Sequence, residues 1–256
     1  MINALICANK PGKVLQLSLP QLTECPYVSR VLIADGPHIG PVPKGTGAQP
    51  GKGYGPFHDS PSVKEIVSEV NSKKVVHCYT DNLRNRAYKN NHALKKVSRD
   101  CQWILCVDAD EVYHEKDLVK LARFLSKKPE WDRYVMCTVD LYQDFEHQLL
   151  LKDSKPRLYR WFPGAKCPPS DRSHQFVLSP KQKKHPTKNW GAFKLDRDIC
   201  QMYHLNAMRT KRRIRKMEDG KITIHIGGKN RSSKIHPFDI KKAPKTIREW
   251  KGTTEL

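Results

Sequence analysis

The sequence predicts an α/β protein in which a mostly parallel sheet is flanked by helices and followed by a basic C-terminal extension. Three observations lead to this prediction. Short apolar runs alternate with segments of helical spacing over residues 1–145, the length of 256 residues suits one large domain, and positive charge is concentrated in the second half. A chain of this length buries enough apolar surface to fold without a structural metal or a disulfide.

The strands of the first half are predicted from short apolar runs that are bounded by turn residues. They cover residues 3–8, 31–34, 74–79, 103–107 and 133–139. The helices are predicted from apolar residues spaced three or four apart, and they cover residues 14–22, 63–70, 84–97 and 116–125. Strands that alternate with helices are joined by right-handed crossovers, so neighbouring strands are expected to be parallel.

The pattern changes after residue 145. A short strand is predicted over residues 157–162, a basic helix over 202–217, and a strand or hairpin arm over 222–226. The tail from Lys229 is polar and basic, and we expect it to be loosely held. The predicted segments are therefore 1–145, 146–216 with the basic helix, and the extension 217–256.

Charge separates the two halves of the chain. Residues 1–150 hold 20 basic and 17 acidic side chains, a net of +3, whereas residues 151–256 hold 27 and 9, a net of +18. Solubility requires far less charge than this, so the second half is expected to bind a polyanion. Six cations within eight positions are the predicted contacts: Arg209, Lys211, Arg212, Arg213, Arg215 and Lys216. A solvated basic face is the alternative.

Cysteine spacing and hydropathy indicate the compartment. The eight cysteines form no C-x-x-C pair, which argues against a zinc ribbon and favours a reducing environment. The sequence contains no run of 18 apolar residues, and its N-terminus lacks a basic stretch before the first apolar run. We therefore expect a cytoplasmic protein.

Two strand ends carry carboxylates. Asp108, Asp110 and Glu111 follow a buried strand directly, and three carboxylates within four positions are costly unless a cation lies among them. Such oxygen ligands suit Mg²⁺ or Mn²⁺ with phosphate completing the shell, whereas a solvated acidic turn is the alternative. Asp35 also ends a strand, at the edge where ligands of such sheets bind, although a turn carboxylate before Gly36 would give the same pattern.

The order of these motifs resembles the nucleotide-sugar half of family 2 glycosyltransferases, which have the Rossmann-like GT-A fold. More narrowly, the chain is similar to the branch that includes bacterial lipooligosaccharide glucosyltransferases, and the resemblance covers roughly residues 1–216. The motifs that carry it are Leu83-Arg84-Asn85-Arg86-Ala87, the segment from Trp103 to Glu111, Arg157-Leu158-Tyr159-Arg160, and Met202-Tyr203-His204.

The resemblance implies roles for individual residues. Residues 1–145 would bind the nucleotide sugar and residues 146–216 would form the acceptor side. Asp35 would hold the uridine or ribose of a UDP-sugar, while Asp108 and Asp110 would hold the metal and the diphosphate. His204 would be the third protein ligand of Mn²⁺ or Mg²⁺; a satisfied histidine at a helix start is the alternative.

Two further roles follow from the resemblance. Arg84 or Arg86 would balance the charge of the diphosphate. The branch usually has a His-Glu pair after the R-L-F/Y-R strand, but this chain has His174-Gln175, and a glutamine cannot accept a proton. Asp171 and Asp140 are the predicted replacements for the base, and a loop carboxylate paired with an arginine is the alternative for each.

Together with the charge, the resemblance implies a metal-dependent hexosyl- or pentosyltransferase that moves a sugar from a UDP-sugar to a hydroxyl of a polyanion. The expected acceptor is a 5-hydroxymethylpyrimidine base in DNA, as for bacteriophage DNA glycosyltransferases, and the protein would then work in the host cytoplasm. Lipopolysaccharide core is the alternative acceptor. A non-enzymatic nucleic-acid-binding module, in which Asp108 and Asp110 are structural, is the alternative of a different class.

Overall fold

A computed structural model describes residues 1–8, 14–36, 62–80, 86–127, 129–141, 146–149, 154–167, 193–205, 214–218, 221–226 and 229–249. Within these ranges thirteen strands join in one sheet, with helices on both of its faces. The mixed α/β architecture is confirmed. None of the described helices combines the length and the apolarity needed to cross a membrane.

The first half has the predicted alternation of strands and helices. Its elements are β1 (Ile2–Cys7), α1 (Val14–Glu24), β2 (Val28–Asp35), α2 (Val63–Val70), β3 (Val75–Tyr79), α3 (Arg86–Leu94), β4 (Trp103–Asp108), β5 (Glu111–Tyr113), α4 (Glu115–Ser126) and β6 (Arg133–Leu141). All the predicted elements of this half are present, and β5 is an addition to them.

The parallel part of the sheet has the order β3-β2-β1-β4. Alternate residues of each strand enter different cores: Ile33 packs with α1, α2 and α4 on one face, whereas Leu32 and Ala34 pack with α3 on the other. Because both faces are covered, the strands are almost continuously apolar, which is why the sequence shows them so clearly. This frame brings the ends of β1, β2 and β4 to one edge.

Helix α2 begins with a complete capping box. The Ser62 side chain accepts a hydrogen bond from the Glu65 N–H, and the Glu65 carboxylate accepts one from the Ser62 N–H at 2.5 Å. The hydrogen bond from the Ser62 N–H is the larger cause of a lowered pKa of Glu65, and the bond with the Ser62 side chain adds to it. The local sequence therefore defines the start of this helix.

The second half consists mainly of antiparallel strand pairs. Its elements are β7 (His147–Leu149), β8 (Ser154–Arg160), β9 (Phe193–Lys194), β10 (Gln201–His204), β11 (Ile214–Glu218), β12 (Lys221–Ile226), β13 (Lys229–Pro237), a 3-10 helix (Ile240–Lys242) and α5 (Lys245–Arg248). Strands β9 and β10, however, lie parallel to β6.

The prediction of a mostly parallel sheet is wrong for this half. Strand β8 lies between β4 and β6 and is antiparallel to both, and β7, β13, β12 and β11 extend the sheet with antiparallel pairs. Several of these strands follow one another after only a few residues, and such short connections lead to antiparallel neighbours. The sheet is therefore only partly parallel.

The predicted basic helix over residues 202–217 is wrong at both of its described ends, 202–205 and 214–217, whereas residues 206–213 lie outside the described residues. Residues Gln201–His204 form β10, which is hydrogen-bonded to β6 on one side and to β5 on the other, and residues Ile214–Glu218 form β11. Tertiary pairing here overrides the helical spacing of the sequence.

The tail from Lys229 is not loosely held in the described range 229–249. Strand β13 pairs with β12 and with β7, and Ile247 of α5 is buried against Val14 and Leu17 of α1. The Tyr203 hydroxyl donates a hydrogen bond to the Lys242 carbonyl oxygen at 2.8 Å. The end of the described chain is therefore packed against the first half of the sheet domain.

Candidate functional site

The candidate site lies at the carboxyl edge of the parallel strands. The chain places β2 and β3 on one side of β1 and then β4 on the other side, so the direction of strand addition reverses at β1. Ligands of open α/β sheets bind at this kind of reversal, because the loops on either side diverge there. Asp35 ends β2 and Asp108 ends β4, so both carboxylates flank the reversal as the sequence predicts.

The acidic turn after β4 contains an internal cation. The Arg157 guanidinium, from β8, donates a hydrogen bond to Asp108 Oδ2 at 2.6 Å and another to Glu111 Oε1. Glu111 is fully buried and Arg157 is 1% exposed, whereas Asp108 is half-buried. Glu111 also accepts a hydrogen bond from the Asp108 N–H at 2.9 Å, which closes the turn.

Electrostatics fixes the protonation of this arginine. Burial by itself lowers the pKa of Arg157, but the neighbouring Glu111 and Asp108 outweigh it and hold that pKa above its usual range. The three carboxylates are costly without a cation, and the protein itself supplies one for two of them. The acidic run by itself therefore does not demand a metal, and the metal prediction depends on Asp110.

Asp110 lies against a histidine that is oriented by a second carboxylate. Asp110 Oδ1 is 3.8 Å from Nε2 of His204, and Nδ1 of His204 is 2.6 Å from Oδ1 of Asp140. Asp140 is 4% exposed and His204 is 6% exposed. Asp110 comes from the turn after β4, Asp140 from the end of β6 and His204 from the end of β10. The sheet brings them together although Asp110 and His204 are 94 positions apart in the sequence.

Asp110 and His204 have the spacing and the donor atoms of two ligands of a divalent cation. A distance of 3.8 Å is too long for a hydrogen bond, but two ligands of one ion, each about 2.0–2.2 Å from it, lie roughly 3–4 Å apart. The carboxylate and imidazole donors suit Mn²⁺, and a carboxylate behind the imidazole is the usual support of a metal-bound histidine. Within the described ranges, however, no three His, Cys, Asp or Glu side chains are grouped closely enough to hold a metal by themselves. Asp110 and His204 thus fit as a partial ligand pair.

Asp35 is held by contacts from two neighbouring elements. Its Oδ2 is 2.8 Å from Nε2 of His77, on β3, and its Oδ1 accepts a hydrogen bond from the Gly36 N–H at 2.7 Å. Gly36 has a φ of +137°, and a Cβ at this position would overlap the Thr80 carbonyl oxygen, so only glycine fits the turn. The carboxylate is therefore fixed at the edge of the sheet.

A buried lysine joins the ends of two strands. Lys89, on α3, is 1% exposed, and its Nζ donates hydrogen bonds to the carbonyl oxygens of Gly36 at 2.9 Å and of Ala8 at 3.4 Å. These carbonyls follow β2 and β1 directly. Lys89 thus places positive charge under the strand ends where an anionic group of a ligand would lie.

The remaining predicted site residues are only partly described. Arg84, Asp171, Arg209, Lys211, Arg212 and Arg213 lie outside the described residues. Arg86 is the first residue of α3, and Arg215 and Lys216 belong to β11. The structure therefore assembles Asp35, Asp108, Asp110, Asp140 and His204 at one edge of the sheet, and the roles of all these residues remain predictions.

Sequence analysis missed three residues of this edge. Arg157 stands in the Arg157-Leu158-Tyr159-Arg160 motif, where an arginine within an apolar strand is the signal that could have revealed it. Lys89 and His77 carry no such signal, because a lysine in a helix and a histidine in a strand are ordinary in the sequence. Their contacts appear only when α3 and β3 pack beside β2.

Comparisons with known proteins show weak likenesses. No protein-family model matches the chain, and no curated protein matches its sequence. Among solved structures, S. aureus TarS 1–349 aligns with a TM-score of 0.46 at 13% identity, over 81% of this chain and 63% of that one. The complex of that fragment with UDP-GlcNAc gives 0.42 at 14% identity, over 62% of this chain and 45% of that one.

A third solved structure with a similar fold is that of a synthase. The 4-diphosphocytidyl-2C-methyl-D-erythritol synthase from Anaerococcus prevotii DSM 20548 aligns with a TM-score of 0.41 at 11% identity, over 81% of this chain and 88% of that one. The chain thus spans 63% of the length of the TarS fragment. Likenesses with TM-scores below 0.5 carry no argument about function, so function is inferred from the site itself.

Proposed function

We propose that the chain is a metal-dependent glycosyltransferase that moves a sugar from a UDP-sugar to a hydroxyl group of a polyanionic acceptor. The observation that carries the proposal is the pairing of Asp110 with the carboxylate-supported His204, at 3.8 Å, at the strand edge where Asp35 and Asp108 also end their strands. This edge is where nucleotides bind in open α/β sheets.

Donor binding is assigned to the edge around β1. Asp35 accepts a hydrogen bond from a ribose hydroxyl or from the uracil N–H, and its contacts with His77 and Gly36 keep the carboxylate in place. The buried Lys89 contributes favourable potential for the diphosphate, and Arg84 or Arg86 supplies the remaining charge. Because the uridine is far from the bond that breaks, these contacts serve binding more than chemistry.

Asp110 and His204 are the proposed protein ligands of Mn²⁺, with Asp108 beside them. When bound, the ion supplies a Lewis acid that stabilises the leaving diphosphate. An imidazole nitrogen in the donor set favours Mn²⁺ over Mg²⁺, which prefers oxygen ligands. Arg157 keeps Asp108 and Glu111 in place without the ion, so the turn is formed before the donor arrives.

The base that deprotonates the acceptor hydroxyl is assigned to Asp171. Asp140, the other candidate, is buried and has one carboxylate oxygen hydrogen-bonded to His204, so it is poorly placed to meet an acceptor. Asp171 lies outside the described residues and precedes His174-Gln175, where the resembling family has its acidic residue.

The proposed acceptor is DNA that contains a 5-hydroxymethylpyrimidine. The support is the net charge of +18 over residues 151–256, because phosphate contacts require cations but no sequence-reading motif. The basic run from Arg209 to Lys216 is the proposed phosphate contact. Transfer to a base also requires local opening of the duplex, which enzymes acting on bases achieve by flipping.

One assay tests the proposal. The protein is incubated with a panel of UDP-sugars, Mn²⁺, and either hydroxymethylated DNA, unmodified DNA or lipopolysaccharide core, and the products are weighed by mass spectrometry. Asp110→Asn should abolish transfer, whereas Asp100→Asn, an exposed aspartate in the turn before β4, should not. Labelling of lipopolysaccharide core alone would refute the DNA acceptor. Failure of every donor to be transferred or hydrolysed, combined with tight DNA binding, would favour the binding module instead.

A further inference from the structure

The carboxylate of Asp140 contacts Nδ1 of His204, whereas the other ring nitrogen, Nε2, faces Asp110. We propose that Asp140 is a positioning residue that fixes the ring of His204 with its proton on Nδ1, so that the unprotonated Nε2 faces Asp110. The metal-binding consequence of this inference rests on the proposed function, whereas the state of the ring does not.

The hydrogen bond between the two side chains is short and buried. Nδ1 of His204 and Oδ1 of Asp140 are 2.6 Å apart, slightly shorter than the roughly 2.7–2.9 Å of charge-assisted N–H···O hydrogen bonds. An ionised carboxylate only accepts hydrogen bonds, so the nitrogen that faces it carries the hydrogen. A neutral imidazole has one N–H, so in the neutral ring Nε2 carries the acceptor lone pair that a metal ligand needs.

The backbone holds both partners in register. His204 pairs with Asp140 across the parallel strands β10 and β6, and it pairs with Glu111 across the antiparallel strands β10 and β5. The Leu205 N–H donates a hydrogen bond to the Asp110 carbonyl oxygen at 2.8 Å, which ties the end of β10 to the acidic turn. The histidine is therefore fixed between the carboxylate that orients it and the carboxylate that its Nε2 faces.

Asp140 is costly as a purely structural residue. Its Oδ2 is buried and has no hydrogen-bond partner among the described residues. A buried carboxylate with an unsatisfied oxygen costs free energy that an apolar side chain would not. The protein gains from this residue a defined orientation of His204, which is a functional gain rather than a gain in stability.

The expected consequence is a difference in metal affinity. A carboxylate that accepts from one ring nitrogen raises the basicity of the other and fixes the ring, and loss of such partners typically weakens metal binding by about 10- to 100-fold. Asp140→Ala removes the partner altogether. In Asp140→Asn the side-chain NH₂ is able to donate to Nδ1, which favours the opposite tautomer with the proton on Nε2.

The first measurement is made on the metal-free wild-type protein with ¹⁵N-labelled histidine, at about pH 8. Long-range ¹H–¹⁵N correlations, assigned with His204→Gln, should show a protonated Nδ1 and a bare Nε2 for His204. A wild-type ring with its proton on Nε2 would overturn the inference, whether or not the variants fold. Asp140→Asn should move the proton toward Nε2.

The second measurement is the dissociation constant of Mn²⁺ alone, followed by electron paramagnetic resonance of the free ion. Wild type and the control Asp100→Asn should bind alike, and Asp140→Asn and Asp140→Ala should bind about 10- to 100-fold more weakly. Equal binding by wild type and the Asp140 variants would overturn the inference and leave the proposed function standing. Absence of Mn²⁺ binding by the wild type would overturn the proposed metal-dependent function, and with it the metal role of Asp140.

Discussion

Replacing Arg157 with methionine provides the sharpest test of how the acidic turn is held. The change keeps much of the apolar stem but removes the guanidinium that contacts Asp108 and Glu111. Because Glu111 is fully buried, the change would remove the guanidinium that contacts its carboxylate and leave that charge with little water around it. Removal of one partner from a buried ion pair typically costs about 3–5 kcal/mol.

This cost corresponds to a large thermal effect. At roughly 2–4 °C per kcal/mol for a domain of this size, Arg157→Met should lower the Tm by about 6–20 °C. The assay is thermal and urea unfolding followed by circular dichroism, with Arg99→Met as the control, since Arg99 is exposed at the opposite end of β4.

A second variant separates charge from packing. Arg157→Met combined with Glu111→Gln also removes the buried negative charge of Glu111. The double variant should therefore recover part of the stability that the single variant loses. A single change that costs less than about 1 kcal/mol would refute the assignment of Arg157 as the internal cation. A double variant less stable than the single one would show that packing, rather than charge, dominates.

Four further predictions test other parts of the chain. Asp35→Ala should raise the KM for a UDP-sugar more than it lowers kcat, and unchanged UDP affinity by calorimetry would contradict the nucleoside contact. Glu65→Gln should lower the Tm near neutral pH only, because a carboxylate with a lowered pKa stabilises the fold above its unfolded pKa and loses this effect as the pH falls through its folded pKa; melting at about pH 7 and about pH 3 checks this. The native protein should react quickly with one equivalent of a thiol reagent, at Cys7, since the other seven cysteines are buried, and a second fast equivalent would disagree with this burial. Arg212, Arg213 and Arg215 of the basic run are replaced together by alanine. A plot of the logarithm of the DNA-binding constant against the logarithm of the salt concentration should have a slope of about −5 for wild type with roughly six phosphate contacts, and the variant should reduce its magnitude by about two to three units.

The sequence by itself determined the parallel half of the fold. Strands β1, β2 and β4 are buried on both faces, so each appears as an unbroken apolar run, and the helices between them show the spacing of one apolar face. The same local patterns placed Asp35 and Asp108 at strand ends, because a strand that meets polar residues ends there.

Strand direction in the second half was decided by the tertiary structure. A short apolar strand has the same sequence pattern whether its neighbour is parallel or antiparallel. The sequence of β8 therefore does not show that this strand lies between β4 and β6 and runs antiparallel to both. The residues 201–204 have helical spacing with the basic run after them, yet they form β10, because β5 and β6 both offer unpaired backbone groups to them.

The partners of the charged residues were also decided by the tertiary structure. The sequence shows that a buried acidic cluster needs a cation, but it does not show which cation, since Arg157 lies 46 positions beyond Glu111. Likewise Asp140 and His204 are 64 positions apart and meet only because β6 and β10 are neighbours in register. Local patterns encode burial and backbone conformation, whereas the partner of a charged residue is set by contacts between strands that are distant in the sequence.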